Sequence, residues 1–216
     1  MRFVRPLLLW IALALWLATV ARAGLPEPSN WLVPALIPVV GHDAAGNPDR
    51  RGEVLIVARD LANTPVPGVQ VVLDFGNCAE VRLCSDPHDP DAVVDCARGT
   101  IAKITDANGE VRFRVVGCSI GIPGTPGSGY SCARIYGDGV LQTFAAAAIY
   151  DLVGCNGLAP PDLSAWLADF FGPYNPARAD YDGSGYVGAS DFSLLLLAFF
   201  AAESIANCAG SGPCAP

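Results

Sequence analysis

Eight cysteines divide unevenly along this 216-residue chain. Cys78, Cys84, Cys96, Cys118 and Cys132 lie before residue 150, and Cys155, Cys208 and Cys214 lie after it. Both counts are odd, so complete pairing within one chain demands at least one bridge between front and back. Such a bridge fixes the rear of the chain against the front and restricts every fold open to it. Eight cysteines allow about a hundred pairings, and sequence alone does not choose among them. The favoured pair is Cys118–Cys132, which flanks the Gly/Pro-rich stretch 121–129. At the rear, Cys155 with Cys208 and Cys208 with Cys214 both remain open. No C-x-x-C pair is present and both histidines, His42 and His88, are isolated, so the cysteines read as disulfides rather than zinc ligands.

Disulfides imply an oxidising compartment, and the first residues agree. Arg2 and Arg5 precede an apolar run from Leu7 to Val20, and Ala21-Arg22-Ala23 matches a small-residue cleavage site. The expectation is a cleaved signal peptide over 1–23, a mature chain from Gly24, and a secreted, extracellular product, with a periplasmic or surface-attached location as the variant. Cleavage removes three of the 13 basic residues and none of the 21 acidic ones, taking the net charge from −8 to −11. That balance argues against nucleic acid as a partner, and against a membrane once the signal is gone.

Residues 24–150 have the grammar of strands. Val69, Val71, Leu73 and Phe75 form one period-two run, and Val111, Phe113 and Val115 form another. Val54 to Asp60 is a third β-rich stretch. Turn residues separate them, including Asp106-Ala107-Asn108-Gly109, where Asn-Gly predicts a hairpin. The pattern predicts an antiparallel β-sandwich.

Residues 151–216 change to a helical period. Phe192, Leu195, Leu196 and Phe199 lie on one helix face, as do Leu163, Trp166, Leu167 and Phe170. The two segments are an internal repeat with an offset of 29 residues: Asp151 meets Asp180, Asp162 meets Asp191, and Phe171 meets Phe200. Leu194, Leu197 and Phe200 fall off the face that joins the repeats. Exposing each would forgo about 1.5–3 kcal/mol, so either the β half or a partner protein is expected to cover them.

Ahead of the second helix stands DYDGSGYVGASDF, Asp180 to Phe192. Three carboxylates this close repel unless a cation lies between them. The spacing is that of a calcium loop. Asp180, Asp182 and Ser184 take positions 1, 3 and 5, and Gly185 makes the sharp turn at position 6. Tyr186 offers its carbonyl at position 7, Val187 points inward at position 8, and Asp191 closes the loop at position 12. One Ca2+ is expected. In the first repeat, Val153 and Cys155 stand at positions 3 and 5, leaving only Asp151 and Asp162 as charged donors.

A duplicated loop-helix unit with Asp at position 12 resembles a type I dockerin over residues 151–204. The stretches ARDLANTPVPGVQVVLDF (58–75) and TDANGEVRFRV (105–115) resemble the bacterial immunoglobulin-like domains of invasin and intimin type. These resemblances imply an Ig-like β-sandwich over 24–150 followed by a small all-α, EF-hand-like domain over 151–216. They further imply calcium ligation by Asp180, Asp182, Ser184, Tyr186 and Asp191, and a cohesin-like or cell-surface protein as partner.

No G-x-S-x-G, H-E-x-x-H or phosphate-loop motif occurs, and the acidic residues of the C-terminal loop are taken up by the cation. The expected function is non-enzymatic: a secreted calcium-binding module for protein–protein attachment. The alternative is an accessory component of extracellular polysaccharide degradation, either binding carbohydrate or tethering an enzyme. An exposed aromatic platform on one sheet face would favour sugar binding.

Overall fold

The structure is a computed structural model that describes residues 24–201, 204, 208 and 212–214. The expected signal peptide, 1–23, lies outside the described residues. Ten strands are present among the described residues: β1 (Leu36–Val39), β2 (Glu53–Val57), β3 (Gln70–Asp74), β4 (Val81–Leu83), β5 (Val93–Asp95), β6 (Thr100–Ile104), β7 (Glu110–Arg114), β8 (Gly117–Ser119), β9 (Ala133–Gly137) and β10 (Val140–Ile149). Two helices follow among the described residues, α1 (Pro160–Phe171) and α2 (Ala189–Phe200).

The period-two runs become strands for the reason the pattern gives. In β7, Val111 and Phe113 are buried while Arg112 faces solvent, and in β3 the buried residues are Val71 and Leu73. Six strands form one sheet in the order β1-β10-β9-β3-β6-β5, curled into a half-barrel. The pairs β2-β7 and β4-β8 stand separately.

This architecture corrects the expected Ig-like antiparallel sandwich with a separate all-α domain. The large sheet is mixed, because β1 runs parallel to β10 through the register Leu36–Ala146 to Val39–Ile149. The Asn-Gly turn does not close a hairpin either. Asp106 accepts the backbone N–H groups of Asn108 and Glu110 and reverses the chain. On one side of the turn β6 pairs with β3 and β5, while on the other β7 pairs with β2. The turn moves the chain from one sheet to another.

No small all-α domain is present among the described residues; two 12-residue helices are. Helices this short do not bury their apolar faces alone. Instead Trp166, Ala179, Tyr181, Leu195 and Ala198 share one hydrophobic cluster with Ile37, Val71 and Phe113 of the strands. Tyr181 stacks on Tyr150 at 4.4 Å and donates from its hydroxyl to the carbonyl of Ile149. Small residues make room for this contact: Ala146 and Ala148 of β10 are both buried.

Four disulfides lock the assembly: Cys78–Cys132, Cys84–Cys208, Cys96–Cys214 and Cys118–Cys155. The last three join the strand region to the rear of the chain. The expected Cys118–Cys132 pair is therefore not formed, nor are Cys155–Cys208 and Cys208–Cys214. Cys118 lies on β8, whose Ser119 N–H bonds to the Asp151 carbonyl, so its neighbour is the first loop and not Cys132. Four disulfides fit an oxidising, extracellular environment. Among the described residues no helix is long and apolar enough to cross a membrane.

Candidate cation site

The loop between Asp180 and Asp191 enters from a 3-10 turn, Ala177–Ala179, and leaves through the first turn of α2. Gly183 and Gly185 adopt φ of 70° and 90°, a region that glycine enters at little cost, and this lets the chain curl round its own carboxylates. Asp191, third residue of α2, holds the loop closed. Its Oδ1 accepts the N–H groups of Tyr181 at 2.6 Å and Asp182 at 2.9 Å, and its Oδ2 accepts that of Gly188 at 2.7 Å. Asp180 accepts from Ser184 N at 3.1 Å and Gly185 N at 2.8 Å.

Asp180, Asp182 and Asp191 each direct one carboxylate oxygen into a cluster whose atoms lie within 4.8 Å of one another. Asp180 and Asp191 are fully buried and Asp182 is exposed. Burial raises the pKa of Asp180 above the ordinary carboxylate value. The Ser190 hydroxyl, followed by Ser184, holds Asp182 down at about 2. The Ser184 hydroxyl donates to the Tyr186 carbonyl at 3.1 Å, which brings the position 5 and position 7 oxygens together. All these donors are oxygen, with no thiolate or imidazole among them. Calcium takes six to eight such ligands. Three carboxylates, a hydroxyl and a carbonyl, completed by water, fit it.

The first loop repeats the scaffold without the charge. Asp162 Oδ1 accepts from Leu152 N at 2.7 Å and Val153 N at 2.8 Å, and its Oδ2 accepts from Ala159 N at 2.7 Å. These are the Asp191 contacts displaced by 29 positions. The aspartate at position 12 is thus a loop clamp in both repeats. Asp151 accepts from Gly157 N at 2.6 Å through Oδ2, while its buried Oδ1 has no hydrogen-bond partner. Burial pushes Asp151 up to about 7. Cys155, at position 5, is bonded to Cys118. The first loop offers no third charged ligand.

Two residues outside the motif complete the second loop. Asn175 donates to the Gly185 carbonyl at 2.7 Å and accepts from Val187 N at 2.6 Å, bridging the loop much as a neighbouring strand would. Asn175 Nδ2 also reaches the Tyr130 hydroxyl at 3.0 Å. Burial, and then the charge of Asp180, push Tyr130 up to about 12. Tyr130 comes from the turn-rich stretch before β9, so the strand half of the chain closes over the carboxylate loop. Sequence reasoning missed both residues because neither belongs to a repeat or a spacing.

The faces of α2 divide as follows. Leu195 is buried, and Leu194 is half-buried against the core. Leu197 and Phe200 are 61% and 79% exposed, so the strands leave them uncovered. Phe171, the repeat counterpart of Phe200, is 78% exposed. No protein family, no curated protein and no solved structure matches this chain.

Proposed function

We propose that this is an exported, non-catalytic module whose C-terminal loop takes up one calcium ion and whose helical face attaches it to a protein partner. The observation that carries this reading is the convergence of Asp180, Asp182 and Asp191, two of them fully buried, in a loop with calcium spacing. Asp180, Asp182 and Asp191 would hold the ion with the Ser184 hydroxyl and the Tyr186 carbonyl. The ion would supply the positive charge that offsets their mutual repulsion. Binding an ion to the folded loop stabilises the fold by mass action. The attachment surface is the apolar edge of α2 formed by Leu197 and Phe200, which the strands leave exposed. The dockerin resemblance supports a cohesin-like partner.

Calorimetric titration of the disulfide-intact chain with calcium tests the loop. Uptake near one equivalent, lost in Asp180→Ala, is the expected result. No uptake, or uptake unchanged in that variant, removes the cation from the proposal. Retention of a protein from the native culture fluid by wild type, and not by Leu197→Ser/Phe200→Ser, tests the attachment surface.

A further inference from the structure

The outer face of the six-stranded sheet carries a second assembly of side chains, unrelated to the carboxylate loop. In β9, Ala133, Ile135 and Gly137 point into the core, so Arg134 and Tyr136 point outward. A bulge between Leu141 and Thr143 changes the phase of β10. It brings Leu141 opposite Tyr136 and Phe144 opposite Arg134, on the same outer face. A row of apolar and aromatic residues then runs across five strands: Leu141, Tyr136, Val72, Ala102 and Val93. At about 4.8 Å per strand this row spans roughly 19 Å.

Beside it runs a polar row. Phe144 and Arg134 are paired, and Arg134 bonds Asp74 at 2.8 Å. The Arg134 guanidinium lies 6.0 Å from the Tyr136 ring centre. The Ala177–Ala179 turn and Tyr181 cover the far end of β10, where the side chains are alanines. At the near end Leu141, Phe144 and, across the sheet, Val93 stay 39%, 49% and 68% exposed. Two polar atoms of these paired strands have no hydrogen-bond partner, Arg134 Nε and Gln142 Oε1, the latter at the bulge.

We propose that this face, where Tyr136 and Phe144 stand beside the Arg134–Asp74 pair, binds a neutral polysaccharide chain. Aromatic rings offer flat apolar faces to the C–H faces of sugar rings, and a fixed Arg–Asp pair offers donors and acceptors to their hydroxyls. Charge selects the occupant. Arg134 is neutralised by Asp74, and the chain carries a net −8, so an anionic polymer or an anionic lipid surface finds no attraction here. A second copy packed sheet to sheet would bury the Arg134–Asp74 pair away from water, which disfavours that contact. A neutral polyhydroxylated chain lets the pair keep its hydrogen bonds, and its length suits a row five strands wide.

Affinity electrophoresis of the disulfide-intact chain in gels containing hydroxyethylcellulose, xyloglucan, glucomannan or xylan tests the proposal, with polygalacturonate as the anionic control. Retardation by at least one neutral polymer is expected. It should weaken roughly tenfold in Tyr136→Ala and in Phe144→Ala, and persist in Tyr136→Phe, which keeps the ring. These positions lie outside the core, so thermal melting of the variants should match wild type. Asp180→Ala should bind polymer as wild type does, which separates this face from the cation loop. No retardation in any neutral gel overturns the proposal. So does retardation by polygalacturonate alone, or retardation unchanged in both alanine variants. Sedimentation showing a dimer that Tyr136→Ala dissociates, without polymer binding, assigns the face to a second copy instead.

Discussion

Arg178 Nη1 donates to Glu80 Oε2 at 3.0 Å, across 98 positions of sequence. The same guanidinium holds both oxygens of Asp169, at 2.8 and 2.7 Å, and the carbonyls of Ile122 and Thr125. One cation from the rear of the chain thus organises α1, the loop after β8 and the turn before β4. The Arg178 and Asp169 side chains are 2% and 0% exposed.

Removing one partner of a buried ion pair leaves the others charged and unpaired, at about 3–5 kcal/mol. Arg178→Ala should therefore be among the most destabilising single substitutions in this molecule. Arg178→Lys should recover little, because an ammonium cannot reproduce the two-pronged contact with Asp169. Urea denaturation of the three proteins with disulfides intact measures this. A loss below about 1 kcal/mol for Arg178→Ala would show that the network is solvated and contributes little.

How far sequence reached can be judged residue by residue. Val111, Phe113, Val71 and Leu73 announced their strands, because a period of two is a local property and both strands have one buried face. The carboxylate loop was legible for the same reason: Asp180, Asp182, Ser184 and Asp191 sit at fixed spacings within twelve positions. The parallel pairing of β1 with β10 was not, since more than 100 residues separate Leu36 from Ala146 and no local pattern encodes a partner. The Asn-Gly turn at Asn108 fixes a reversal of the chain but not the sheet that the next strand joins. Odd cysteine counts required a bridge between front and back, yet which thiols meet depends on that same long-range pairing. Asn175 and Tyr130 carry no motif, and only the fold brings them to the loop.

The two position-12 aspartates permit a controlled comparison. Asp162→Ala and Asp191→Ala each remove the acceptor of three backbone N–H groups at the start of a helix. Each should destabilise the chain by about 1–3 kcal/mol in the absence of cation. Only Asp191→Ala should also alter calcium uptake. Melting curves with and without calcium make the test: a calcium-induced shift retained in Asp162→Ala and absent in Asp191→Ala is expected. Loss of the shift in both would make the first loop part of the same site.

Asp151 makes stability depend on pH. Burial raises its folded-state pKa to about 7, from an ordinary 3.8. The folded chain therefore holds this proton where the unfolded chain has already released it. The resulting stability is complete below the unfolded value and is lost as pH rises towards 7; above that the contribution is flat. Asp162, whose own pKa burial also raises, is the neighbouring charge that adds to the effect. Denaturation of wild type and Asp151→Asn from pH 4 to pH 8 reads this directly. The variant should gain on wild type as pH rises through the window. Parallel curves would mean that Asp151 stays ionised and finds a partner for Oδ1.

The bridge between Cys118 and Cys155 should be the one that couples the first loop to the strands. It closes a loop of 37 positions, and removing a native disulfide from a small secreted domain costs about 2–5 kcal/mol. Its neighbours sharpen the expectation. Ser119 N–H bonds to the Asp151 carbonyl, and Cys155 holds φ of 51°, a left-handed geometry unfavourable for a non-glycine residue. Without the disulfide, nothing covalent keeps Cys155 in that conformation, so the loop carrying Asp151 and Asp162 should open first. Hydrogen exchange on Cys118→Ser/Cys155→Ser should show faster exchange at Leu152, Val153 and Gly157, whose N–H groups are bound by those two aspartates. Exchange at Tyr181, Asp182 and Gly188, the equivalent donors of the second loop, should stay near wild type, because Asn175 and Tyr130 hold that loop from outside the repeat. Equal acceleration in both loops would show that the repeats open as one unit, and that the bridge secures the pair of helices and not the first loop alone.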